Sequence, residues 1–318
     1  MADQEQVKLL LEGVDGWNKW RSENLNASID LSGADLRSGK LSRAYLINAN
    51  LNNAILTGAT LTNANLHHAN LQGANLSGAN LSGAILTRAG LSNALLSGAN
   101  LSGADLTGAN LGEANLTDAN LTGANLTSAI LTRAVLSNAN LHGADLTRAN
   151  LSGANLREAN LTSANLTEAL LYEANLTSAN LTNASLRAIL VGANLQGVNL
   201  SRAWLPNANL CNADLSGVDI QGANLRRANL LNANLSYADL TGASLQGAKL
   251  ERAHLEGANL REAELFLANL SEANLTGANL TYANLSRATV TDAVFTDATG
   301  ANLSGSIGVP ASPPPTTP

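Results

Sequence analysis

The sequence predicts an all-β fold, a parallel β-solenoid, and three observations carry the prediction. Leu occupies every fifth position from Leu31 to Leu186 without interruption. Ala stands two residues before nearly all of these Leu residues, with Asn or Asp most often between them. Ser or Thr, frequently followed by Gly, completes each unit, as in Ala74-Asn75-Leu76-Ser77-Gly78. An α-helix turns about 100° per residue, so a period of five steps the apolar positions by about 140° and leaves no stripe. In extended chain, Ala99 and Leu101 share a face while Asn100 points away. Five is odd, so strand alternation breaks in every unit, and Ser102 with Gly103 must turn a corner. Sides and corners in alternation coil the chain around an interior that takes every Ala and Leu. One coil cannot bury them alone, so coils stack at the strand spacing of about 4.8 Å.

Residues 1–24 lie before the repeat and obey a different period. Val7, Leu10, Leu11, Val14, Trp17 and Trp20 recur at three- and four-residue steps, the pattern of an amphipathic helix. Gly13 and Gly16 each cost roughly 1 kcal/mol relative to Ala in a helix, so a helix, a bend and a second short helix fit equally well. A stack of strands exposes unpaired backbone at its first coil, and this segment is expected to cap it. Its charge is mixed rather than basic, which argues against a membrane-surface helix.

Residues 25–303 carry the repeat. Segments such as Ala74-Asn75-Leu76-Ser77-Gly78, Ala104-Asp105-Leu106 and Ala273-Asn274-Leu275-Thr276 resemble the A(D/N)Lxx units of the pentapeptide-repeat family. The N-terminal wording around Trp17 and Trp20 is similar to leader segments of bacterial members. The resemblance implies a right-handed quadrilateral parallel β-helix with four pentapeptides per coil; the beat by itself does not supply the number four. The central positions number 32 from Leu31 to Leu186 and 22 from Leu190 to Phe295. Four to a coil gives a thin rod of about 65 Å, and the repetition overrides the two-domain prior that chain length would suggest.

Between Leu186 and Leu190 the step is four residues, so one corner residue is missing at 187–189. Residues 304–318, Ser-Gly-Ser-Ile-Gly-Val-Pro-Ala-Ser-Pro-Pro-Pro-Thr-Thr-Pro, read as a Pro-rich disordered tail.

Signs of chemistry are few, and no enzyme is expected. His67 and His68 share one corner while His142 and His254 lie coils away, so no histidine metal set forms and no cofactor is implied. Asp219 and Asp239, twenty apart, are expected to stack as solvated members of the Asn/Asp column. Glycines fall at corners and make no phosphate loop. Cys211 is the single cysteine, which excludes a disulfide framework, and it is expected to be a passive surface thiol. No secretion signal or apolar run of membrane length is present, so a cytoplasmic chain is expected.

Candidate function therefore lies in outward positions that break the pattern. Leu170 and Ile189 are apolar where Asn is usual, and across the missing residue they fall one coil apart on one side. Tyr172 and Val191 are related in the same way, and Trp204 with Pro206 projects from a neighbouring side. Leu170, Tyr172, Ile189, Val191 and Trp204 thus form a candidate patch for an unknown protein partner. Ile55, Ile85, Leu95, Ile130 and Val135 are apolar at the same position elsewhere, and single surface apolars are ordinary. The leading reading is a non-enzymatic scaffold or protein-interaction rod. The alternative comes from family members that resemble duplex DNA to DNA gyrase. A DNA mimic should be strongly negative along its length, but this chain carries only −6, interrupted by Arg37, Arg43, Arg88, Arg133, Arg148 and Arg157. It also lacks long loops and a dimerising segment. No basic stripe interleaved with aromatics is visible along the chain, so no nucleic-acid partner is expected. A monomer is expected, because the lid and the tail limit end-to-end stacking.

Overall fold

The computed structural model describes residues 2–190 and 192–314, and the chain divides into two compact units, Met1–Asn165 and Leu166–Pro318. In the first unit Asp30 bridges Asn50, Asp35 bridges Ile55, Lys40 bridges Thr60 and Tyr45 bridges Asn65, all in parallel. The four steps then recur, each residue pairing with the one twenty ahead. A coil therefore takes twenty residues, the length of four five-residue units. This is a parallel β-helix, and each side is so short that a single residue carries its bridge.

Five-residue units of this composition close because every backbone N–H in them finds an acceptor, as buried or half-buried backbone requires. In the unit around Leu51, the Leu51 N–H donates to the Asn70 carbonyl of the next coil at 2.7 Å. The Asn53 N–H donates to the Gln72 carbonyl and the Asn50 N–H returns to the Ile29 carbonyl of the preceding coil, both at 2.9 Å. Ala54 N–H closes the corner onto Leu51 C=O at 3.0 Å. The fifth donor, Asn52 N–H, has no backbone partner, and the Asn50 side-chain oxygen accepts it at 3.3 Å. Asn and Asp recur at the outward position for this reason: they are acceptors for the amide two residues on. Thr and Ser one residue after the Leu add a second donor to the same oxygen, as Thr122 Oγ1 does to Asn120 at 2.6 Å. Side-chain amides also link coils, Asn120 Nδ2 donating to Asn100 Oδ1 at 3.2 Å and Asn100 to Asn80 at 3.3 Å. Asn120→Ala removes the bonds from Thr122 N–H and Thr122 Oγ1 and the bond to Asn100 and is expected to cost about 1–2 kcal/mol, read as a lower thermal midpoint, whereas Asn120→Asp keeps the acceptor and should cost less.

The third residue of the regular corners has a left-handed backbone, φ +63° at Gly78 and +58° at Asn93, for instance. With a Leu-to-Ala hydrogen bond across it, this is the type II turn, which favours Gly or Asn there. Inside, the Leu and Ala residues from Leu36 to Leu186 are shielded almost completely. Ala is small because four of them share the tube with four Leu in every coil.

The chain begins with α1, Gln4–Glu12, and α2, Val14–Glu23. Asp3 caps α1 by accepting from the Glu5 and Gln6 amides. Gly13, at φ +156° and ψ +143°, makes the bend between the helices in a conformation glycine adopts readily. Leu10 and Trp17 are fully buried. Side chains and backbone of this segment hydrogen-bond to the backbone of the first coil. Gln6 Oε1 accepts from Asp30 N–H and Asn18 Oδ1 from Tyr45 N–H, at 3.0 and 2.8 Å. Asp3 N–H donates to Asp30 C=O at 2.8 Å and Trp17 Nε1 to Tyr45 C=O at 3.0 Å. Arg21 is buried and its guanidinium reaches the Asn24, Ala27 and Ile47 carbonyls at 3.4 Å; burial lowers its pKa.

In the second unit the missing residue is absorbed at one corner. Leu170 bridges Ile189, Asn175 bridges Asn194, Asn180 bridges Asn199 and Ser185 bridges Trp204, an offset of nineteen, and from Ile189 with Asn209 the offset is twenty again. The ladder also runs beyond the expected limit at Leu303. Thr289 bridges Ile307 and Val294 bridges Ser312, and Ala311 N–H donates to Ala293 C=O at 2.9 Å. Residues 304–312 are thus paired rather than a free tail, because the Val290 and Phe295 units still present unpaired donors to them. The final prolines of the expected tail, from 315 on, lie outside the described residues. Among the described residues no helix is long and apolar enough to cross a membrane.

Candidate interaction surface at the register skip

The nineteen-residue offset brings Leu170 and Ile189 together on one side of the second unit, with Leu171 N–H donating to Ile189 C=O at 2.9 Å. Leu170 is half-buried and Ile189 is exposed. Trp204 stands on the preceding side, bridged to Ser185, and is 55% exposed. Tyr172 is exposed at the corner that follows Leu171, at the other end of the Leu170 side. The Leu170–Ile189 pair is therefore flanked by two aromatics round opposite corners rather than joined to them in one flat patch. Val191 lies outside the described residues. Ile55, Ile85, Leu95 and Ile130 are exposed in the first unit as well.

Trp204 has a setting the residue pattern alone did not reveal. It shares a surface depression of about 350 Å³ with Pro206, Asn207, Asn224, Arg226 and Arg227. Asn207 N–H donates to Arg226 C=O at 2.9 Å, which seats the Arg226-Arg227 corner directly beside the Pro206-Asn207 corner. Adding twenty to 206 and 207 would have found the two arginines.

A second feature was also missed. The nineteen-residue coil is tied to its predecessor, with Asn194 N–H on Ala174 C=O and Leu176 N–H on Asn194 C=O, both at 2.9 Å. The mismatch then appears on the following seam. Among the described residues no bridge joins Asn194 to Asp214, although Asn175 with Asn194 and Asp214 with Asn234 are paired. A crevice of about 450 Å³ opens there, lined by Leu190, Gly192 to Leu195 and Cys211 to Asp214. Ala193 and Ala213, unlike the buried alanines of most other coils, are half-exposed in it. Cys211 is half-buried on this lip rather than a fully outward thiol.

The stacked carboxylates Asp219 and Asp239 are bridged as neighbours, and polar side chains take up their oxygens. Ser201 Oγ and Gln221 Nε2 donate to the Oδ2 atoms of Asp219 and Asp239 respectively, each at 2.7 Å. Asp239 Oδ1 accepts Thr241 Oγ1 at 2.6 Å and Asn259 Nδ2 at 3.2 Å. Elsewhere basic groups are paired across coils. Arg252 Nε meets Glu272 Oε2 at 2.9 Å, and this hydrogen bond with the attraction of the guanidinium holds the Glu272 carboxyl below its usual pKa.

A sequence model described as pentapeptide repeats matches the chain in eight copies, between residues 29 and 307. No curated protein matches it. Among solved structures, HetL, a pentapeptide repeat protein involved in heterocyst differentiation regulation from the cyanobacterium Nostoc sp. Strain PCC 7120, is 39% identical. That similarity covers 76% of this chain and 91% of HetL, with a TM-score of 0.36. QnrB1, a plasmid-mediated fluoroquinolone resistance protein, is 16% identical over 59% of this chain and 92% of its own, with a TM-score of 0.32. Rfr23 from the cyanobacterium Cyanothece 51142 is 31% identical over 47% of this chain and 85% of its own, with a TM-score of 0.13. The five-residue units, their twenty-residue pairing and the family match over residues 29–307 make this chain a member of the pentapeptide-repeat family.

Proposed function

We propose that the chain is a non-enzymatic protein-interaction scaffold, built as a right-handed, four-sided β-helix that α1 and α2 cap at its start. It acts in the cytoplasm as a monomer and docks a protein partner through Leu170, Tyr172, Ile189, Val191 and Trp204. The exposure of Trp204 carries this reading. A Trp left 55% exposed beside Pro206 holds a large apolar surface in water, and Trp is the residue type that most often dominates binding at interfaces. The interior is in keeping with a scaffold, since Ala and Leu fill it among the described residues.

Trp204→Ser with Tyr172→Ser is expected to abolish the association that crosslinking of the wild-type chain captures in its native cell, without shifting the thermal midpoint. Retention of every crosslinked partner by this double variant would remove the patch from the proposal. The alternative, a DNA mimic that inhibits or protects gyrase, is supported by size and disfavoured by charge. Inhibition of gyrase supercoiling at concentrations near those of the enzyme would favour it over the scaffold.

A further inference from the structure

The twenty-residue register collects on one corner of the second unit a set of side chains that are far apart in sequence. That corner follows the side of Ser185, Trp204, Asn224, Ser244 and Glu264. Its successive turns begin Arg187, then Pro206-Asn207, Arg226-Arg227, Gln246-Gly247, Phe266-Leu267 and Ser286-Arg287. Backbone hydrogen bonds fix the stacking. Asn207 N–H donates to Arg226 C=O, Arg227 to Gln246, Gly247 to Phe266 and Leu267 to Ser286, at 2.9, 3.0, 2.9 and 3.3 Å. Five steps at the strand spacing make an edge of about 24 Å. The basic stripe that the linear sequence does not display is therefore present in three dimensions.

Charge is concentrated on this edge. Residues 166–318 contain eight basic side chains, and four of them, Arg187, Arg226, Arg227 and Arg287, are here; of the twelve carboxylates in the same stretch only Glu168 occupies this corner and only Glu264 the side before it. All four arginines are exposed, and among the described residues none has a carboxylate within ion-pair distance; Arg202 and Lys249 have none either, while Arg252 and Arg261 are paired with Glu272 and Glu262. Among the described residues Arg287 meets an aromatic face, its guanidinium lying 6.0 Å from the Phe266 ring centre. Apolar anchors alternate with the charges: Trp204 and Pro206 at one end, and Leu267, 51% exposed, towards the other.

Resting on the scaffold reading above, we propose that this edge is the docking strip for an acidic segment of a partner protein, one that places carboxylates against Arg226, Arg227 and Arg187 and apolar side chains against Trp204 and Leu267. Charge complementarity selects an acidic ligand, since four unpaired arginines repel one another and an anionic chain relieves that repulsion. The apolar anchors and the surroundings select a peptide over a nucleic acid. Residues 166–318 carry four more acidic than basic groups, twelve against eight, and that field opposes a polyanion bearing one charge per phosphate. Leu267 and Pro206 offer apolar contact but no stacking face, and the two aromatics of the edge, Trp204 and Phe266, stand three coils apart, too far for successive bases to stack on both as they do on the aromatic platforms of single-strand binders.

The test uses the full chain and three fluorescein-labelled probes. One is a twelve-residue peptide of six Glu, two Leu and four Ser; the second replaces each Glu with Gln; the third is a twelve-nucleotide single-stranded DNA. The acidic peptide is expected to bind, to weaken as salt rises from about 50 to 300 mM, and to lose at least about tenfold in affinity with Arg226→Glu plus Arg227→Glu. Arg133→Glu, on the first unit, should leave binding unchanged, and equal thermal midpoints of the two charge variants would show that folding is intact. Tighter binding of the DNA than of the acidic peptide, equal binding of the Gln peptide, or no binding of any probe would overturn the proposal. Loss of captured cellular protein on Trp204→Ser together with any of those outcomes would leave the scaffold reading standing and remove only the acidic partner.

Discussion

Trp17→Ala is expected to destabilise the N-terminal segment by about 3–5 kcal/mol, the range for emptying a buried aromatic site. The ring is fully buried, and its Nε1–H is the donor for the Tyr45 carbonyl. Both contributions disappear together, and that carbonyl is left facing the hole. Amide exchange in α1 and α2 should accelerate by orders of magnitude while amides near Leu101, many coils away, keep their protection, because stability in a stacked repeat passes only between neighbours. Trp17→Phe separates the two contributions, keeping most of the burial and losing the hydrogen bond, for about 1 kcal/mol. Freeing the first coil also exposes unpaired strand edge, so sedimentation of the Ala variant should show more concentration-dependent association than that of the wild type. Unchanged exchange in α1 and α2 would mean that the helices are held by something other than this residue.

The second large effect is expected from adding a residue rather than removing one. Insertion of a single Thr between Arg187 and Ala188 lengthens the nineteen-residue offset that begins at Leu170 and Ile189 to twenty. The Leu195 amide and the Asp214 carbonyl, and the Asp214 amide and the Ala193 carbonyl, would then meet as their counterparts do in regular coils. Two ladder hydrogen bonds and the shielding of Ala193 and Ala213 are regained, worth about 1–3 kcal/mol. The thermal midpoint should rise, the amides of Leu195 and Asp214 should exchange more slowly, and Cys211 should react more slowly with a maleimide as the crevice closes. A lower midpoint would show that the short corner is already the better-packed arrangement.

These two regions also mark how far the residues could be read in advance. The Leu beat from Leu31 to Leu186 discloses inward and outward positions because side-chain direction in extended chain depends only on parity, and a corner every fifth residue resets it. The period of three and four around Val7, Leu10 and Trp17 discloses helix for the same kind of reason, but not that Gln6 and Asn18 would supply the missing ladder partners. The number of sides in a coil depends on the angle of each corner, which composition does not state. Everything that depends on that number was illegible from the beat: the meeting of Pro206 with Arg226, and of Gly247 with Phe266. The missing residue at 187–189 was plain, yet the opening it causes lies between Asn194 and Asp214, because backbone bonds to Asn175 and its neighbours pull the short coil one way and leave the gap on the other. The tail was misjudged at Ile307 and Ser312, where pairing with Thr289 and Val294 outweighs a composition rich in Gly, Ser and Pro.

The columns of side-chain amides described above give the molecule a chemical clock. Hydrolysis of one amide, at Asn100 for example, leaves the oxygen that accepts the Ser102 N–H but removes the Nδ2 donor to Asn80. An oxygen then faces an oxygen one coil away, and a negative charge is added to a stack whose neighbours can each suffer the same change. Successive losses along one column would place like charges about 4.8 Å apart, well inside the distance over which salt screens them. Ageing of such a protein would therefore proceed as a slow charging of its own outer wall, with the apolar tube inside chemically untouched.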